Sequence, residues 1–117
     1  MKKPVGPSVD GLFRYRLEVA YDGTDFAGWA KQPKLRTVQG EVISVMNKIF
    51  GESETDFGLR VAGRTDAGVH AEHQVIHVDL ERDWPLRTIA DAMNAHLKGG
   101  GVAILDARRV ADTFDAR

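Results

Sequence analysis

From Arg14 to Tyr21 apolar and polar residues alternate. Tyr15, Leu17, Val19 and Tyr21 fall on one side, Arg16 and Glu18 on the other. A period of two is the pattern of a strand with one buried face, and Asp22-Gly23 ends it as a turn. Thr24 to Arg36 then has no periodicity. It is a long polar connection carrying Phe26 and Trp29 as an exposed-looking aromatic set, and connections of that length are disproportionately functional. The pattern changes at Thr37, which suits a helix N-cap. Val38, Val42, Val45, Met46 and Ile49 recur at helical spacing up to Phe50, and Gly51 fits the position just past the helix end.

Phe57 to Ala62 reads as a second strand. Val75 to Leu80 reads as a third, with Ile76, Val78 and Leu80 on one face and His77 and Asp79 on the other. Asp83-Trp84-Pro85 introduces a second helix whose apolar face is Leu86, Ile89, Ala90, Met93 and Leu97; Gly99-Gly100-Gly101 stops it, and Val102 to Val110 supplies a fourth strand. Strand, helix, strand, strand, helix, strand is the split βαβ, ferredoxin-like order. The expectation is therefore an α+β domain with a four-stranded antiparallel sheet, both helices on one face and the other face free. Residues 1–12 mix Pro, Gly, Ser and Asp and read as a flexible tail, leaving 13–117 as one domain.

Composition narrows the class without naming a chemistry. The 117 residues, 43% hydrophobic and 28% charged, suit one globular domain and exclude collagen, coiled coil and wholesale disorder. With no cysteine, disulfides, thiolate metal sites and a Cys nucleophile are excluded. Pro4-Val5-Gly6-Pro7-Ser8 stands where a signal peptide needs its apolar core, and no stretch approaches the roughly 20 apolar residues of a membrane span. The expectation is a soluble cytoplasmic domain. The net charge is −1, but residues 1–38 carry seven basic and four acidic side chains. Lys31, Lys34 and Arg36, interleaved with Trp29 and Gln32, form the one local cluster suited to phosphates. An ordinary solvated surface is the plainer reading of that charge. For Trp29 a packing anchor is plainer than a base-stacking platform.

The most unusual stretch is Ala62-Gly63-Arg64-Thr65-Asp66-Ala67-Gly68-Val69-His70-Ala71. Gly63 and Gly68 allow unusual torsions and close approach. In extended backbone Arg64 and Asp66 project the same way, so the guanidinium would hold the carboxylate ionised, and an ionised carboxylate is a usable nucleophile or base. The residues equally fit a plain turn with a surface ion pair worth under about 1 kcal/mol, which physics alone favours slightly. His70, His73 and His77 with Glu72 lack a familiar ligand spacing, so no metal is expected. Asp22 and Asp25 read as turn residues.

The decapeptide resembles the catalytic signature of the tRNA pseudouridine synthase A family. Three further stretches agree in order and spacing: Tyr21-Asp22-Gly23-Thr24 with Phe26, Gly28 and Trp29; Thr37-Val38-Gln39; and Gln74-Val75 with His77. The likeness runs from about Arg14 to Arg117, with two departures: Ala30, where the family usually has Gln, and Asp115, where His is common before Ala-Arg. The resemblance implies an isomerase that converts uridine to pseudouridine in the anticodon stem-loop of tRNA, without metal or cofactor. By match to the motif Asp66 is the essential carboxylate, as nucleophile or base. Arg64 pairs with it and helps hold the base outside the stack, Thr65, Gly63 and Gly68 shape the loop, and His70 lies near the RNA backbone. Trp29, Lys31, Gln32, Lys34 and Arg36 are the expected RNA contacts. The resemblance also implies a second, similar half of the same polypeptide across a cleft, and a homodimer of the whole. The 117 residues are then an N-terminal half that folds alone but does not catalyse.

Two rival classes carry the same topology. A non-catalytic RNA-binding module would place paired aromatics on its central strands, and these are missing. Such a module also leaves the Asp66 loop unexplained, and a small-molecule regulatory domain would show tRNA association that is absent or insensitive to salt.

Overall fold

The computed structural model describes residues 11–30, 32–51, 56–63 and 67–116. Their elements run β1 (Phe13–Tyr21), α1 (Val38–Phe50), β2 (Arg60–Val61), β3 (Ala71–Leu80), α2 (Leu86–Leu97) and β4 (Val102–Val110), with a short 3-10 turn at Gly23–Asp25. The sheet order is β2-β3-β1-β4 with every neighbouring pair antiparallel. This is the expected ferredoxin-like arrangement. The tail assigned to residues 1–12 falls, up to Asp10, outside the described residues.

The period of two in β1 becomes burial. Tyr15, Leu17 and Val19 are fully buried and Tyr21 nearly so, packed with Val38, Val42 and Met46 of α1 and Ile89, Met93 and Leu97 of α2 in one core. Thr37 caps α1 as expected, its Oγ1 accepting from the Gly40 N–H at 3.2 Å, and Gly51 closes it at φ +68. Helix α2 starts at Pro85 with no side-chain cap. Asp83, two residues ahead of that position, accepts from the Tyr15 hydroxyl at 3.1 Å and pairs with Arg109 at 2.6 Å.

Three differences from the pattern have physical causes. Strand β2 is two residues long rather than six, because Phe57 (φ +57) and Gly58 (φ +61) turn the chain left-handed. The apolar Phe57 and Leu59 plug the core from that turn instead of alternating along a strand. Strand β3 begins four residues early. Its first part carries the exposed Glu72 and His73 and crosses a register shift opposite Val19–Tyr21, which hides it from a period-two reading. Nor is the sheet's second face wholly free. Residues 111–116 fold back over it: Arg14 donates to the carbonyls of Asp112 (2.8 Å) and Phe114 (2.7 Å), and the Phe114 ring meets His77 edge-on at 6.2 Å. The Ala116 N–H donates to His77 Nδ1 at 3.1 Å. His77, on a face that period two marks as polar, is therefore only 2% exposed. Burial, with Arg14 close by, pushes its pKa below the usual histidine value.

Candidate active site

Strand β1 delivers the chain to a tightly organised turn. The Asp22 side chain accepts from the Thr24 N–H at 3.0 Å and from the Thr24 hydroxyl at 2.6 Å, an Asx-turn. The Asp22 N–H reaches Gly101 O at 2.8 Å, tying the turn to the start of β4. These bonds from Thr24, helped by His70, hold the Asp22 carboxyl below its ordinary pKa. Asp22 thus keeps the turn role assigned from sequence and acquires His70 as a neighbour.

The loop from Ala62 to His70 connects β2 to β3. At its near end the Ala62 N–H bonds Val75 O, and the Gln74 amide donates to the carbonyl of Gly63. At its far end Gly68 sits at φ +79, the torsion expected of it, and its N–H donates to Phe26 O at 3.2 Å. Gly63 differs: it lies outside the left-handed region, and a Cβ there would meet open space. His70 Nδ1 accepts from the Gly23 N–H at 2.8 Å and lies 3.0 Å from Asp22 Oδ1. One ring nitrogen cannot serve both at once: with its lone pair free Nδ1 takes the Gly23 N–H, and only with a hydrogen on Nδ1 would it donate to Asp22 instead. Arg64, Thr65 and Asp66 lie outside the described residues.

A shallow concavity of about 720 Å³ opens where β1 ends and β3 and β4 begin, walled by Ala20, Asp22, His70, Ala71, Ala103 and Leu105. Its floor is largely alanine, and Leu105 is 47% exposed. The loop's far end forms part of its rim. Small apolar side chains bordered by Asp22, Glu72 and an imidazole suit a planar, partly polar ring. Among the described residues no three His, Asp or Glu side chains converge. His70 faces Asp22, His73 faces Glu18 at 3.6 Å, and His77 receives the Ala116 N–H.

The 22–37 connection corrects two expectations. Phe26 (4% exposed) and Trp29 (1%) are not surface aromatics; Trp29 packs on Tyr21 with ring centroids 5.9 Å apart. A ring so covered has no face left for a base, so Trp29 is the packing anchor of its loop and not an RNA contact. Arg36 is already engaged, donating to Glu41 at 3.0 Å and to Gly100 O at 3.0 Å while lying 4.3 Å over Phe26. Gln32 bonds Ala27 O at 3.1 Å, and Lys34 stands exposed at φ +63. Lys31 and Arg117 lie outside the described residues. Sequence reasoning missed the meeting of Gly23 with Val69 and His70. Its sole local trace is the Asp22-Gly23 pair, which any tight turn could carry.

Fold and site together define a ferredoxin-like α+β domain in which the far end of the 62–70 loop borders an apolar concavity. Residues 18–117 match the family described as tRNA pseudouridine synthase, and the chain belongs to that family. It is 50% identical over 108 residues to the tRNA pseudouridine synthase A of Bartonella bacilliformis, covering 91% of this chain and 42% of that protein. Against the tRNA pseudouridine synthase A of Methylobacterium radiotolerans the identity is 51% over 104 residues, 89% of this chain and 40% of that one. For that of Azorhizobium caulinodans the figures are 51%, 89% and 39%. The chain thus spans about two fifths of the length of these curated relatives.

Proposed function

We propose that this chain carries the catalytic loop of an enzyme that isomerises uridine to pseudouridine in the anticodon stem-loop of tRNA. The observation that carries the reading is the decapeptide Ala62–Ala71 itself, whose far end, His70 and Ala71, borders the concavity. The reaction breaks the bond between uracil N1 and the ribose C1′, turns the base and joins C5 to C1′. N1 gains a proton and C5 loses one, so atoms balance without oxidant, metal or cofactor. Asp66 acts on the sugar, either attacking C1′ or removing a ribose proton, and Arg64 keeps its carboxylate ionised. A uridine in a stem must first leave the stack, at a cost of a few kcal/mol; Arg64 helps hold it out. Thr65, Gly63 and Gly68 shape the loop. His70, its side chain 61% exposed, lies on the RNA backbone side. Lys31, Gln32 and Lys34 meet phosphates, with Arg36 contributing only the charge its internal partners leave unneutralised.

The reading extends to the rest of the enzyme. A second half of the same polypeptide forms the other wall of the cleft, the whole is a homodimer, and it works in the cytoplasm. Catalysis requires the flipped base to be held and shielded from water, so residues 1–117 alone fold but release no product.

The test is tritium release from tRNA labelled at uridine C5. Asp66→Asn preserves shape and removes the charge, so in the complete enzyme turnover is lost while tRNA affinity changes by less than about threefold. Appreciable pseudouridine from purified Asp66→Asn would sink the assignment. Robust turnover by residues 1–117 alone would refute the two-walled site.

A further inference from the structure

The turn after β1 and the far end of the 62–71 loop approach more closely than any side chain permits. A Cβ built on Gly23 would lie 1.9 Å from the Val69 carbonyl oxygen, 2.5 Å from its carbonyl carbon and 2.9 Å from its nitrogen. All three are backbone atoms, with no flexible end to swing aside. Gly23 is outside the left-handed region, so glycine is required here for space and not for torsion. Two hydrogen bonds flank the contact: Gly23 N–H to His70 Nδ1 at 2.8 Å, and Gly68 N–H to Phe26 O at 3.2 Å.

The turn is in turn fixed from below. Asp22 bonds Gly101 O, the Phe26 N–H bonds Gly23 O at 3.0 Å, and the Phe26 ring is buried. The loop offers less of its own: Ala67, Gly68, Val69 and His70 are all exposed, Val69 to 44%. Position is therefore imposed by the turn on the loop.

We propose that Gly23 and His70 are positioning residues for the isomerisation. They seat Gly68–His70 on the Asp22–Phe26 turn and so determine where the carboxylate of Asp66, two residues before Gly68, is presented. The inference rests on the assignment of Asp66 to the reaction. A shift of about 1 Å in a reacting group can cost on the order of a hundredfold in rate, and an added methyl at Gly23 demands at least that displacement from Val69.

The experiment measures kcat, KM and Tm of the complete enzyme on an unmodified tRNA transcript labelled at C5. Gly23→Ala is expected to lower kcat about a hundredfold, with KM changed by less than about threefold. Gly51→Ala is the control: it strains the αL cap of α1 far from this turn, so it lowers Tm and leaves kcat unchanged. The second pair avoids any folding defect. His70→Ala removes the acceptor for the Gly23 N–H and should reduce kcat about tenfold, a loss about equal to one charge-free hydrogen bond. His70→Asn, whose amide oxygen can stand near the place of Nδ1, should restore most of it. Unchanged kcat in Gly23→Ala, an equal kcat loss in Gly51→Ala at equal Tm loss, or no recovery in His70→Asn would each overturn the proposal. Retained turnover in Asp66→Asn would instead overturn the assignment on which it rests, a separate result.

Discussion

Two long connections of this domain, Asp22–Thr37 and Ala62–His70, resemble each other in sequence. Each holds two glycines, carries charged side chains and lacks periodicity. In the fold they are opposites. The first buries Phe26 and Trp29, bonds its own backbone through Ala27 N–H to Arg36 O and Val38 N–H to Gly28 O, and ends in the Thr37 cap. The second, over its described residues, buries no side chain and is held at its two ends by a few hydrogen bonds. The first is an irregular part of the core, and the second is carried by that core. Length and polarity alone therefore do not separate a loop that fills the core from one that rides on it; the aromatics do, because they have area to bury.

Changes in the first connection should act on stability and changes in the second on turnover. The largest stability effect is expected from Trp29→Ala, a loss of about 3–5 kcal/mol, read from denaturant midpoints. Asp66→Asn, measured alongside, should leave the midpoint almost unmoved. A small loss for Trp29→Ala would mean the two loops are not so different. Next comes Thr37→Ala, which removes the acceptor for the Gly40 N–H and should cost about 1 kcal/mol, with kcat intact in chemical-quench assays.

A smaller effect is pH-dependent and sits on neither loop. The buried His77 has a folded pKa below its unfolded value, so the unfolded chain binds the proton more readily. The His77 contribution is therefore complete above the ordinary histidine value near 6.5 and declines as pH falls through it towards the lowered folded value. Melting curves from pH 7.5 to 5 should show the wild type losing more stability than His77→Asn, which keeps an acceptor for the Ala116 N–H but does not titrate. Parallel curves would mean that another group governs the acid limb. The smallest effect is on binding. Lys34→Gln should flatten the dependence of log K on log salt by about one unit or slightly less, equally for every tRNA. An unchanged slope would remove Lys34 from the RNA surface and make the first connection purely structural.

Much of this was readable before any coordinates. The alternation of Tyr15, Leu17, Val19 and Tyr21, the helical stripe from Val38 to Ile49, the Thr37 cap and the Gly51 stop are local patterns, and each emerges in the fold with the predicted partner face. The decapeptide was legible for a similar reason, as ten consecutive residues whose identity is itself the signal. What stayed hidden involves residues far apart in the chain. Phe57 and Leu59 filling the core from a turn, Asn94 taking both backbone groups of Ile104 where β4 shifts register (2.9 and 2.7 Å), residues 111–116 closing over His77, and Gly23 against Val69 belong to this set. Side-chain spacing tells a residue which face of its own element it occupies. Which backbone it meets across tens of residues depends on how strands register and helices pack, and that is settled only when the whole core closes.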